Sequence, residues 1–411
     1  MCSNASFSGS RRTSALNLLL ALAVCVLVFV TRSAQAQTYT ILYAFQGGND
    51  GFWPEGGLLR DERGNLYGTT FGGGGFGYRG TAFKLDPQGK ETLLYSFLAG
   101  YGAYPLGSLV SDGRGNFYGT TTEGGAFGEG TVFKLDIKGN EAVLHSFSWS
   151  SGDGIDPEAG VVLDKEGNVY GTTFDGSTND GIVFKISKAG KETILHTFTG
   201  QSDGGYLQAG LVRDDAGNLY GAAEDGGDPD CDNGFGCGTI FKLDSAGHFT
   251  VLYAFTGSGG DGEYPSAGLI RDEYGNLYGT TYAGGAAGYG TVFKLDSSGK
   301  ETVLYSFLGP PEDGAGPDFA PLVRDSAGSL YGVAFGGNTS CESGCGVVFK
   351  LAPDGKETVL HYFTGTSGDG QGPMGGLVLD GSGNLYGTTE QGGNLNNCWG
   401  HGCGIVFKLA P

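Results

Sequence analysis

Three aspartates alternate along one stretch of this chain, Asp228, Asp230 and Asp232, with Glu224 and Asp225 just ahead of them. Carboxylates at every second position can be aimed at one calcium ion. The stretch departs from the helix-loop-helix calcium pattern, because Asn233 holds the usual glycine position and Thr239 stands where a bidentate glutamate belongs. A solvated acidic loop is the competing reading, and calcium is the one cofactor the sequence raises. Six cysteines follow residue 36 as close pairs, Cys231 with Cys237, Cys341 with Cys345, and Cys398 with Cys403. In an oxidising compartment they read as three local disulfides, each pinning an enlarged loop. Metal binding is the alternative where His401 lies between Cys398 and Cys403, but three ligands on one short loop make a poor structural zinc site.

The three tryptophans, Trp53, Trp149 and Trp399, stand in segments rich in Gly and Asp, alongside Tyr101, Tyr104, Tyr206, Tyr264, Phe76 and Tyr78. Exposed rings flanked by carboxylates can stack on sugars or anchor a protein partner. Sealing the ends of a packed domain is their other use. A catalytic set does not stand out. His145, His196 and His361 fall where Tyr43, Tyr95, Tyr253 and Tyr305 fall in other copies of a repeat, which points to packing, and no nucleophile-elbow signature is present.

That repeat must position all of these residues. Gly-Asn-Leu-Tyr-Gly or a close variant occurs seven times, with its tyrosine at Tyr67, Tyr118, Tyr170, Tyr220, Tyr278, Tyr331 and Tyr386. One supersecondary unit copied along a chain fixes an architecture. Each unit holds four short apolar runs, in the fifth copy Ala267–Asp272, Asn276–Thr281, Gly290–Asp296 and Lys300–Phe307. Four strands per unit is the content of one propeller blade. Short turns of the form Asp-x-x-Gly-Asn join the first two strands, and similar turns join the last two. Since neighbouring strands run antiparallel, both short turns fall on one face and both long loops on the other, where binding residues are expected.

The chain opens after residue 36 with a lone fourth strand, Tyr39–Phe45, and stops inside a third, Ile405–Leu409. Seven complete sheets therefore require these ends to meet. The expected fold is an all-β, seven-bladed propeller of four-stranded blades over residues 37–411, closed by the amino-terminal strand, which hides edges that would otherwise pair with other chains.

Residues 1–36 read as an export signal: Arg11 and Arg12, an apolar stretch from Ala15 to Val30, then Ala34-Gln35-Ala36 as a cleavage site. The expected location is the periplasm or the medium, without stable membrane insertion. The chain carries 24 basic and 44 acidic residues, a net charge of −20, and loss of Arg11, Arg12 and Arg32 with the leader leaves −23. Such a surface repels phosphate backbones and argues against nucleic acid as a partner.

Tyr278-Gly279-Thr280-Thr281, Gly284-Gly285, Gly290-Thr291-Val292-Phe293-Lys294-Leu295 and Gly299-Lys300 resemble the GloVer tandem repeat of exported bacterial proteins, the choice-of-anchor group. The likeness spans nearly all of residues 37–411. The order of motifs is also similar to NHL and gluconolactonase-type blades, which implies that Gly268–Asp272 is innermost and Glu301–Phe307 outermost. The resemblance implies no activity. From the residues, the first expectation is a non-catalytic binding or scaffold module that presents Trp53, Tyr104, Trp149, Tyr206, Tyr264 and Trp399 to a carbohydrate or protein ligand. The alternative is a metal-assisted hydrolase, lactonase or lyase at the mouth of the central channel.

Overall fold

A computed structural model of the chain describes residues 37–411 apart from Phe76, Tyr78, 177–179, 338–340, 342–343 and Ser367. The expected export signal, together with Phe76 and Tyr78, therefore lies outside the described residues. Seven four-stranded antiparallel sheets follow one another along the chain. In the fifth, Ile270–Arg271, Leu277–Thr281, Thr291–Leu295 and Glu301–Ser306 pair in that order from the axis outward. The seventh is completed by Thr38–Ala44 beside Ile405–Ala410, so the ends of the chain meet and the ring closes. The Phe45 N–H donates to the Gly404 carbonyl at 3.0 Å at this junction.

The innermost strands are shorter than the apolar runs suggest, two residues each. In the fifth blade Gly268 and Leu269 lie outside the ladder and line the channel instead. Third strands are buried on both sides, as in Thr291–Leu295, where only Lys294 is partly exposed. That burial accounts for their incomplete polar alternation.

The recurring motif folds as it does because its Asp organises a turn and its Tyr. Asp272 accepts the N–H groups of Tyr274 (3.0 Å) and Asn276 (2.8 Å), the Asn276 side-chain amide (2.7 Å) and the Tyr278 hydroxyl (3.1 Å). Six of the seven motif tyrosines donate in this way to their turn aspartate. Gly279 is required by close approach: a Cβ there would lie 2.7 Å from Cζ of the buried Phe293 ring.

Blades are joined by phenylalanine pairs. The ring that follows each fourth strand meets the third-strand ring of the next blade at 5.0–5.3 Å, as Phe97–Phe133 and Phe255–Phe293 do. The closing junction, Phe45–Phe83 at 5.1 Å, repeats this geometry. The core is therefore shared between neighbours and none of it belongs to one blade alone. The three cysteine pairs form disulfides with Cα separations of 5.7, 5.4 and 5.3 Å, each in the long loop between second and third strands.

Candidate site at the channel mouth

The site is built on one backbone device repeated in every blade. Trp53, Tyr104, Asp156, Tyr206, Tyr264, Gly316 and Gly372 all adopt φ between 55° and 67°. In this left-handed turn the N–H reaches back to a carbonyl of the preceding blade, as Tyr104 does to Arg79 (2.8 Å) and Tyr264 to Cys237 (3.0 Å). The carbonyl accepts an N–H from the residue that follows the second strand, as Tyr104 does from Thr122 (3.1 Å). Proline follows in every blade except the fourth, which has Leu207.

The next residue turns toward the axis. In blade order it is Glu55, Leu106, Glu158, Gln208, Ser266, Asp318 and Met374. Glu55, Leu106, Glu158, Gln208 and Met374, with Phe319, line a cavity of about 410 Å³ whose walls are completed by inner-segment residues such as Gly107, Val161 and Leu269. The backbones of the inner segments crowd below it, and a Cβ on Gly107 would stand 2.5 Å from the Gly160 nitrogen.

The mouth is electrostatically unusual. Burial, then the charges of Glu390 and Glu158, push the Glu55 carboxyl up to about 8. Burial, with Asp156, Glu224 and Asp318 nearby, raises Glu158 to about 7. Glu224 is raised to about 7 by burial, Asp318 and Asp225. Asp318, which accepts the Ser266 hydroxyl, is raised to about 6 by burial. Near neutral pH carboxyls raised this far are only partly ionised, so the mouth offers both carboxylic acids and carboxylates. No three of them bring oxygens within 4.8 Å of one another among the described residues.

The aromatic candidates divide. Trp53, Trp399 and Tyr104 belong to one ridge across blades seven, one and two: Trp53 lies 5.9 Å from Trp399 and 6.2 Å from Phe71, which stacks on Tyr104 at 4.8 Å beneath the Arg79 guanidinium. Trp399 is 75% exposed. Tyr206 packs on Phe174 at 5.2 Å. Burial first, and then the Asp232 carboxylate beside its hydroxyl, raise the pKa of Tyr264. Trp149 is half-exposed in the short turn Trp149–Ser151 and makes no ring contact among the described residues. Asp228, Asp230 and Asp232 line the blade-four loop, where Asp228 accepts the Asp230 N–H at 3.0 Å, and they offer no cluster of three oxygens within 4.8 Å.

Tyr282, Phe319 and Phe335, exposed at blades five and six, were not singled out by sequence reasoning. Tyr282 and Phe335 lie over the two glycines of the turn ring, with Cε2 atoms 2.9 Å and 3.5 Å from where Cβ atoms of Gly316 and Gly372 would be. The residue two places after each turn position was also missed, although its variety in an otherwise uniform segment was visible.

Fold and cavity together define a closed seven-bladed propeller with an acidic pocket at one mouth of its axis. The chain belongs to the Gloeobacter/Verrucomicrobia repeat family, whose profile matches residues 27–181 and 167–407. No curated protein sequence matches it. Among solved structures it is similar to the gluconolactonase XC5397 from Xanthomonas campestris, at 14% identity over 92% of this chain and 93% of that one, with a TM-score of 0.46. It is also similar to a luciferin-regenerating enzyme, at 12% identity over 91% and 95%, with a TM-score of 0.44. At such identities and scores no activity follows from the likeness. No helix among the described residues is long and apolar enough to cross a membrane.

Proposed function

We propose that this chain is an exported binding propeller that captures a carbohydrate at the channel mouth on its long-loop face. The observation that carries the reading is the cavity of about 410 Å³, where blades alike elsewhere present Glu55, Leu106, Glu158, Gln208 and Met374 side by side. Its volume falls in the range of roughly 300–1,000 Å³ typical of small-ligand pockets. Partly protonated carboxyls and an amide can both donate to and accept from hydroxyl groups, and the exposed rings of Phe319, Tyr282 and Phe335 give stacking faces. Export is part of the reading, because an Arg-led apolar leader and three disulfides suit an oxidising compartment.

A glycan panel followed by calorimetry tests this. Gln208→Ala should weaken a captured sugar by about tenfold, the worth of roughly one net hydrogen bond. A protein ligand would instead show as loss of capture in Trp53→Ala with Trp399→Ala and no effect of Gln208→Ala. A panel on which nothing is retained would sink the carbohydrate reading.

The enzyme reading is favoured by one separate observation. Glu55 and Glu158, raised to about 8 and 7, are suited to act as an acid and base pair near neutrality. Turnover on a panel of lactones and esters, abolished by Glu158→Gln, would establish it.

A further inference from the structure

At each junction between blades, a Tyr or His near the end of one outer strand faces a residue at the start of the next outer strand. Two pairings recur. Tyrosine meets glutamate at Tyr95–Glu141, where the hydroxyl lies 3.5 Å from the carboxylate, and Tyr43, Tyr253 and Tyr305 likewise feel the charges of Glu91, Glu301 and Glu357. Histidine meets an aromatic ring: His196 stacks on Phe249 at 3.8 Å and 3°, and His361 stacks on Tyr39 at 3.9 Å and 11°.

His145 breaks this rule. It faces Glu192, so an imidazole stands where the rule calls for tyrosine, and the loop aspartate Asp153 completes the group. His145 Nε2 lies 2.9 Å from Asp153 Oδ2, and ligand atoms of all three side chains fall within 4.8 Å of one another. We propose that His145, Asp153 and Glu192 bind a divalent transition-metal ion of the zinc class.

The three groups form the only such cluster of His, Cys, Asp or Glu among the described residues. One imidazole nitrogen and two carboxylate oxygens make a donor set that takes zinc at about 2.0–2.2 Å, with water completing the shell. Asp153 is held in place because its other oxygen accepts the Ser148 N–H at 2.9 Å, the kind of outer contact that orients metal ligands. Glu192 Oε1 is buried without a hydrogen-bond partner among the described residues, a feature it shares with Glu91, Glu141, Glu301 and Glu357, so the imidazole facing it is what distinguishes this junction.

The repeat supplies its own test. The full chain, stripped with chelator and titrated with Zn²⁺ by calorimetry and with Co²⁺ by visible absorption, should take up one equivalent. His145→Tyr and Glu192→Phe each restore a pairing used at other junctions, so both should fold with a melting temperature near that of the metal-free parent and take up none. Phe249→Glu, which gives the His196 and Asp203 junction the same three groups, should raise uptake to two equivalents. A parent chain without saturable uptake, or one equivalent that persists in folded His145→Tyr, overturns the proposal.

Discussion

Replacing Glu55 by glutamine isolates the cost of placing an acid at the channel mouth. The side chain keeps its shape and can still hydrogen-bond, but it no longer ionises. In the folded chain the carboxyl is raised to about 8 from an ordinary 4.5, by burial first and by Glu390 and Glu158 after it. Each pKa unit corresponds to about 1.4 kcal/mol, so forcing the buried group to ionise costs on the order of 4–5 kcal/mol. An acid raised on folding contributes stability that is fully present below its unfolded pKa and lost as pH rises through the folded value. Between pH 5 and pH 8 this one group should therefore remove roughly 3–4 kcal/mol from the parent chain and nothing from Glu55→Gln. Urea unfolding at pH 5, 6.5 and 8 reads the difference directly. If both chains lose stability in parallel over that interval, the carboxyl ionises freely in the folded state and the account of a partly protonated mouth is wrong.

Two further outcomes follow from the same ring. The turn aspartates act with the opposite sign: against desolvation, hydrogen bonds from Asn276 and Tyr278 hold Asp272 below the usual carboxylate range, and the turn aspartates of the other six blades are lowered too. Their contribution is lost as pH falls, so melting temperature plotted against pH should peak on the acid side of neutrality, near about pH 5, and a maximum at pH 8 would contradict the raised acids of the mouth. Phe45→Ala at the closing junction should cost about 3–5 kcal/mol in denaturant unfolding, the same as Phe255→Ala within the ring. A much smaller cost for Phe45→Ala would mean that the ring is not sealed there as it is elsewhere.

Blade number, strand order and closure were legible because each rests on local chemistry repeated seven times, and repetition averages out the ambiguity of any one short apolar run. Asp272, Gly275 and Asn276 mark a turn whether or not the rest of the fold is known. The cysteine pairs were legible for the same local reason. The channel mouth was not, because Glu55 and Glu158 are separated by more than 100 residues along the chain and come to one cavity only through ring geometry. His145 was read as packing from the position it shares with tyrosines. That reading holds for all three, His145 packing edge-on to Phe147 at 4.8 Å as His196 and His361 do to Phe198 and Phe363, while the Glu192 that faces His145 sits 47 residues further along the chain and is brought there only by the stacking of blades.

Features present in all seven blades are explained by the ring itself, so they say little about what the protein does. The left-handed turn that ties each blade to its predecessor is one of these, and Gly316 and Gly372 show that glycine serves it. Yet Trp53, Tyr104, Asp156, Tyr206 and Tyr264 adopt the same backbone with a side chain attached, at a cost of roughly 1–2 kcal/mol each. Something must offset that cost at each position. For Tyr104 the stack on Phe71 and the Arg79 guanidinium above it do so within the fold, and for Tyr206 the Phe174 ring does. Asp156 needs less, because a short acidic side chain is among the few that take this conformation readily, and burial with three neighbouring acids raises its carboxyl to about 6.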